Sequence, residues 1–220
     1  MAKIAVFCDF DGTITENDNI IHIMKHFAPS RWEGIKNQVL AQEISIQEGV
    51  GKMFSLLPSS LKDEITDFIL ENARVREGFQ PFIDYLAKEN IPLYIVSGGI
   101  DFFVAPVLDK YGPFEEVFCN SSDFSGDTIK ILWPHSCDEN CDNNCGCCKP
   151  SIMRKLEGEE TFKVVIGDSV TDLEAAKQAD FVIARDLLLE KSKEMNLNHC
   201  AFESFYDCIE LLKRLNEVRV

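Results

Sequence analysis

IAVFCDFDGT, residues 4–13, is the stretch on which the architecture turns. Its apolar run up to Phe10, rich in β-branched and aromatic residues, is interrupted only at Asp9, which reads as a strand covered on both faces, as in a parallel sheet. Working outward, three further runs have the same character: PLYIVSG at 92–98, KVVIGDS at 163–169 and FVIAR at 181–185. EVFCN at 116–120 is a weaker strand candidate. Helical patterns occupy 79–90, 100–111, 150–157, 170–179 and 204–217. Strands alternating with helices in this way predict an α/β fold, a doubly wound, Rossmann-like parallel sheet.

Residues 17–76 break that alternation, with helical periodicity and no strand. Ile20, Ile21, Met24 and Phe27 share one helical face, as do Leu61, Ile65, Phe68 and Ile69. Ser45 and Glu48 have capping-box spacing, which predicts a helix start at that point. The expected organisation is therefore a catalytic core of residues 1–16 and 77–220 with a helical cap, 17–76, inserted after the first strand. A small β-hairpin is expected at FSGDTIKILW, 124–133, with Gly126 and Asp127 in its turn.

At 220 residues, 45% apolar and 27% charged, the chain is large enough to bury a core without a staple. A net charge of -15 argues against a surface that holds DNA or RNA by its phosphates. The opening residues lack the basic, apolar and cleavage regions of a signal peptide, and no run approaches about 18 apolar residues. These features predict a cytoplasmic protein with reduced thiols and neither a nucleic-acid nor a membrane partner. A homodimer is the base-rate expectation for its assembly.

Ligands of such sheets bind beyond the carboxyl ends of the strands, and three strands end in reactive groups. The first ends in Asp9, Phe10, Asp11, Gly12 and Thr13, where strand alternation would turn Asp9 and Asp11 the same way. The second ends in Ser97, Gly98 and Gly99, whose backbone can approach an anion closely. The third ends in Gly167, Asp168 and Ser169, with Asp172 opening a helix, and Lys149 precedes another helix. Converging carboxylates repel one another unless a cation neutralises them, and an all-oxygen set suits Mg2+. Lysine, serine and backbone donors suit a phosphate. The combination describes metal-assisted phosphoryl transfer with one aspartate free as nucleophile. Taken singly, each group has a plainer reading as a turn residue, a helix cap or a solvated lysine.

DFDGT, the serine of IVSGG, Lys149 and GDSVTD, in that order, resemble the four motifs of the haloacid dehalogenase superfamily of phosphatases. The resemblance implies Asp9 as nucleophile and Asp11 as the acid and base. It implies Mg2+ on Asp9, the backbone carbonyl of Asp11 and Asp168, with Asp172 supporting that end of the site. Thr13, Ser97, Gly98 and Lys149 would bind the phosphoryl oxygens.

A compact helical cap suits a small phosphate ester, and its closure would exclude water. The layout resembles the phosphoserine phosphatases of the superfamily, in which an acidic flap residue meets the substrate amine; Asp18 lies near that point. Their cap arginine, which meets the substrate carboxylate, is replaced here by Met53 beside Phe54, a pair suited to an apolar or sulfur-bearing tail. Lys52 offers an anion contact instead, and packing within the cap is the plainer reading of the pair. DFDGTITENDNI, EGVGKMFSLLPSSLK, WPHSC with CGCCKP, and GDSVTD also resemble the methionine-salvage phosphatases of the superfamily. That implies a phosphorylated enol-keto substrate with a methylthio tail. Phosphoserine, a phosphorylated amino alcohol, or a non-enzymatic cysteine-based metal-binding module are the competing readings.

The last of these rests on CDENCDNNCGCC, residues 137–148. Cys137, Cys141, Cys145, Cys147 and Cys148 do not have the paired spacing of common zinc modules. Reduced or oxidised thiols, or a structural Zn2+ on three or four of them with His135, all remain open readings. The segment is expected to position Lys149. Cys8, Cys119, Cys200 and Cys208 read as core or incidental residues, and His22, His26 and His199 as structural.

Overall fold

A computed structural model describes residues 3–219 apart from 157 and 159. Strand β1 (Ile4–Cys8) is buried along its whole length and lies at the middle of a seven-stranded sheet. Four helices follow it: α1 (Asn19–Phe27), α2 (Trp32–Leu40), α3 (Ile46–Phe54) and α4 (Lys62–Asn72). The chain then continues through α5 (Phe79–Lys88), β2 (Leu93–Ile100), α6 (Asp101–Leu108), β3 (Glu116–Asp123) and β4 (Lys130–Leu132). The second half comprises α7 (Lys149–Leu156), β5 (Phe162–Gly167), α8 (Leu173–Ala176), β6 (Phe181–Ala184), α9 (Asp186–Glu194), β7 (His199–Ala201) and α10 (Phe205–Arg219).

The sheet order is β4-β3-β2-β1-β5-β6-β7, with only β3 and β4 antiparallel. From β1 the chain builds outward through β2 and β3, then crosses back to build through β5, β6 and β7. That reversal opens a crevice at the carboxyl end of β1, between β2 and β5. The registers Cys8↔Ile95 and Cys8↔Ile166 set the end of β1 two residues before the level of Ser97 and of Asp168 on its neighbours. Alternate residues of β1 feed two cores. Ile4, Val6 and Cys8 join the larger one, with Phe79, Phe82 and Phe205; Ala5 and Phe7 join a second, with Tyr94, Ile152, Met153 and Ala175.

Ser45 accepts a hydrogen bond from the Glu48 N–H and starts α3, the half of the predicted box that the structure makes. The hairpin differs from the expected one. Its first arm is the end of β3, paired Ser121↔Leu132 to Asp123↔Lys130, so Phe124 to Ile129 form the connection. Strand β7 carries no sequence signal beyond three residues, and it is formed by pairing with β6 at the sheet edge. Among the described residues no helix is long and apolar enough to cross a membrane.

Candidate active site

Strand β1 ends at Cys8, so its two-residue alternation does not govern Asp11 as the sequence suggests. A tight turn over Phe10–Ile14 does so instead, with Gly12 at φ +82°. A Cβ at Gly12 would collide with the Asp168 carboxylate, so glycine is needed for both the conformation and the close approach. Arg76, just before α5, pins the turn. Its Nε donates to the Thr13 carbonyl at 2.8 Å, one Nη to the Gly12 carbonyl at 2.8 Å and the other to the Glu203 carbonyl at 3.3 Å.

Asp9 is 5% exposed, and its Oδ1 lies 2.6 Å from Lys149 Nζ. The same ammonium group donates to Asp172 Oδ1. Asp172 Oδ2 accepts from the backbone N–H groups of Asp168 at 3.1 Å and Ser169 at 3.0 Å, so Asp172 joins the lysine to the loop after β5. Carboxylate oxygens of Asp9, Asp168 and Asp172 all lie within 4.8 Å of one another. Thr13 is fully buried and donates to Asp168 Oδ1 at 2.8 Å.

On the other side of the crevice, Asp11 Oδ1 accepts from the backbone N–H of Asn19 at 3.0 Å and from its Nδ2 at 2.7 Å. A Cβ at Gly99 would lie 2.8 Å from Asp11 Oδ2 and 3.0 Å from Ser97 Oγ, which places the glycine pair near the end of β2 against Asp11. Ser97 Oγ accepts from the Gly99 N–H, and the Gly98 carbonyl accepts from Asn120 Nδ2 at 2.8 Å. Nothing lies within 4 Å of where a Cβ would stand on Gly98, so the crevice is open there.

Burial, followed by repulsion from Asp172 and against the pull of Lys149, raises the Asp9 carboxyl well above the usual carboxylate range. Burial and then Asp18 push Asp11 up to about 7, while Asn19 opposes the shift. Burial and Asp172 push Asp168 up to about 6. Burial disfavours the Lys149 charge, yet Asp172 and Asp9 outweigh it and hold the lysine above its usual range. An oxygen-rich site with one ammonium for three converging carboxylates fits a divalent cation, and hard oxygen donors fit Mg2+.

The specificity candidates are placed less directly. Asp18 accepts from the Ile21 N–H and caps α1. Met53 is 4% exposed and Phe54 fully buried, the latter edge-on to Phe102 of α6 at 6.2 Å. Both therefore pack within the larger core, between the helical insert and the sheet domain. His26 stacks on Phe68, and His199 Nδ1 lies 2.7 Å from the Leu197 carbonyl. Arg76, Asn19 and Asn120 were not singled out by the sequence, since a lone arginine or asparagine outside a motif carries no signal of its contacts.

The cysteine segment has no helix or strand before α7. Sγ atoms of Cys137, Cys141, Cys145 and Cys148 lie within 4.8 Å of one another, whereas Cys147 turns into the second core. His135 is outside the group, edge-on to Phe118 at 5.2 Å.

With this geometry in view, known proteins supply the family. The model of the haloacid dehalogenase-like hydrolases matches residues 6–177. The chain belongs to that family. A 2-hydroxy-3-keto-5-methylthiopentenyl-1-phosphate phosphatase of Geobacillus thermodenitrificans (strain NG80-2) is 60% identical over 98% of both chains. One of the same description from Bacillus pumilus (strain SAFR-032) is 54% identical, covering 100% of this chain and 95% of the relative. A phosphoserine phosphatase solved as a phospho-aspartyl intermediate analogue superposes with a TM-score of 0.73 at 20% identity, over 96% of this chain and 99% of that one, a likeness of fold. Within the haloacid dehalogenase-like hydrolases, this chain is a phosphoric monoester hydrolase.

Proposed function

We propose that the enzyme hydrolyses 2-hydroxy-3-keto-5-methylthiopentenyl-1-phosphate to 1,2-dihydroxy-3-keto-5-methylthiopentene and phosphate, a step of methionine salvage in the cytoplasm. Similarity along nearly the full length of relatives so described supports the substrate. The observation that carries the mechanism is the buried contact of Lys149 Nζ with Asp9 at 2.6 Å inside a carboxylate cluster. A group so held is presented to phosphorus by its free oxygen while the lysine meets the phosphoryl oxygens.

An Asp9 oxygen attacks phosphorus, and the bond from phosphorus to the enol oxygen breaks. Asp11 gives its proton to that oxygen, for which a carboxyl pushed up to about 7 is suited. Asp11 then takes a proton from water as the water oxygen attacks phosphorus, and the bond to Asp9 breaks, releasing phosphate. Lys149, Ser97 and the open backbone at Gly98 hold the phosphoryl oxygens through both steps. Thr13 contributes by fixing Asp168, to which its hydroxyl donates. Asp9, the Asp11 carbonyl and Asp168 would hold Mg2+, which neutralises charge on the phosphoryl group when bound. Asp172 maintains Lys149 and the loop of Asp168.

Helices α1 to α4 act in this reading as the cap, with Asp18 at the flap and with Met53 and Phe54, buried in the core, fixing the position of α3. None of the nine cysteines is in a disulfide, which suits a reducing compartment. The test is phosphate release from this ester, phosphoserine and phosphorylated amino alcohols, with Mg2+ or EDTA, alongside Asp9→Asn. Mg2+-dependent release strongest on the methylthiopentenyl ester and lost in the variant is expected. Preference for phosphoserine would keep the chemistry and overturn the substrate.

A further inference from the structure

Residues 137–148 form a long irregular excursion, yet they lead directly into α7 and Lys149. Asp138 to Asn144 present acidic and amide side chains with no apolar residue except Cys141, so hydrophobic burial has little with which to hold the loop. What converges instead is sulfur. Four thiols, from Cys137, Cys141, Cys145 and Cys148, meet within 4.8 Å; Cys148 is buried and the other three are half-buried.

The sequence alone contains five candidate thiols, and the fold selects among them. Asn144 at φ +48° and Gly146 at φ +84° turn the chain back, so Cys145 and Cys148 face the group while Cys147, 2% exposed, packs with Phe7, Tyr94 and Phe118. Trp133 closes over Gly146, where a Cβ would lie 2.8 Å from the indole ring. The effective spacing becomes a two-residue knuckle at Cys145 and Cys148 completed by Cys137 and Cys141.

We propose that Cys137, Cys141, Cys145 and Cys148 bind a structural Zn2+ that clamps this loop and the start of α7. Tetrahedral coordination with Zn–S bonds of about 2.3 Å sets sulfurs roughly 3.8 Å apart, so the observed grouping needs little contraction. The four soft donors select zinc, and Mg2+ is left to the oxygen cluster. Surrounding groups fit a site that carries net negative charge when four thiolates bind a divalent ion. Ser151 Oγ lies 2.9 Å from Cys148 Sγ, and the Asp138 N–H donates to the same hydroxyl at 3.0 Å. Arg154 grips Asp138 at 2.6 and 3.0 Å, placing a cation beside the cluster. The clamp reaches the neighbouring elements through the Cys148 N–H, which donates to the His135 carbonyl at 2.8 Å, and through the Gln47 N–H of α3, which donates to the Asn144 carbonyl at 3.2 Å.

This inference concerns the fold of the loop and goes beyond the proposed reaction, which stands or falls separately. Its test is the metal content of the full chain, purified without a metal-affinity step, together with X-ray absorption at the zinc edge. About one zinc ion per chain in a shell of four sulfurs near ~2.3 Å is expected. Cys141→Ser and Cys145→Ser should lose most of the zinc, and Cys147→Ala should keep it. A chain without zinc that also takes none up from solution after reduction overturns the proposal, as does zinc bound through nitrogen or oxygen. Iron in the site overturns the choice of metal. If the serine variants fail to fold, the wild-type stoichiometry and sulfur shell still decide.

Discussion

Two clusters flank the first turn of α7, and they are built on opposite terms. The oxygen cluster of Asp9, Asp168, Asp172 and Lys149 is assembled from the ends of β1 and β5 and the starts of α7 and α8, is largely buried, and has one ammonium for three carboxylates. The sulfur cluster of Cys137, Cys141, Cys145 and Cys148 lies on a polar loop that itself contains no helix or strand. In the proposed reaction, the first is a place prepared by the fold for an ion and a phosphoryl group. The second is a place where an ion would prepare the fold. Lys149 belongs to one and follows the last residue of the other, so the comparison can be tested from either side.

The largest effect should come from Asp9→Asn, which removes the proposed nucleophile and should lower turnover by on the order of 10^4-fold or more. Its zinc content should match that of the parent, and a parallel loss would merge the two clusters into one unit. Lys149→Met comes next. It leaves Asp9 and Asp172 buried without their cation, so stability should fall by about 3–5 kcal/mol. Urea unfolding measures this, and unchanged stability would show that the lysine is not a structural counter-ion. Arg76→Ala strips the donors from the Gly12 and Thr13 carbonyls and should cost about 2–3 kcal/mol, with reduced turnover and unchanged zinc.

The remaining expected effect, spread over several pH units, is in pH dependence. Asp11 and Asp168 have folded pKa values of about 7 and about 6, above the unfolded value of 3.8. Between 3.8 and about 7 the folded chain thus holds more protons than the unfolded one, and these groups make stability fall as pH rises through that window. Thermal melts in EDTA should show the decline, Mg2+ should flatten it, and Asp11→Asn should reduce its slope. A slope unaltered by that variant would place the proton uptake elsewhere.

Much of this could be read from the chain itself, for identifiable reasons. Ile4–Cys8, Leu93–Val96 and Val164–Gly167 are short and buried on both faces, so local composition marks them as central strands. Asp9, Ser97, Lys149 and Asp168 follow those elements or begin the next, so their convergence follows from topology. Asp11 was expected beside Asp9 for a reason the structure replaces: alternation ends at Cys8, and the turn at Gly12 takes over. The first hairpin arm was misplaced because β3 continues past EVFCN through the polar Ser121, Ser122 and Asp123, whose strand state comes from pairing with β4.

The amino-acid order by itself determined the alternating α/β plan, the helical insert and the set of carboxylates, because burial and charge repulsion act on residue type and spacing. Tertiary structure alone decided which four cysteines meet, that Arg76 holds the turn from a distant helix start, and that Asn19 supports Asp11. Those choices depend on contacts between residues far apart in sequence or on side-chain direction at a single turn. Beside the positive φ of Gly146, Cys147 packs into the core while Cys145 and Cys148 turn to the thiol cluster.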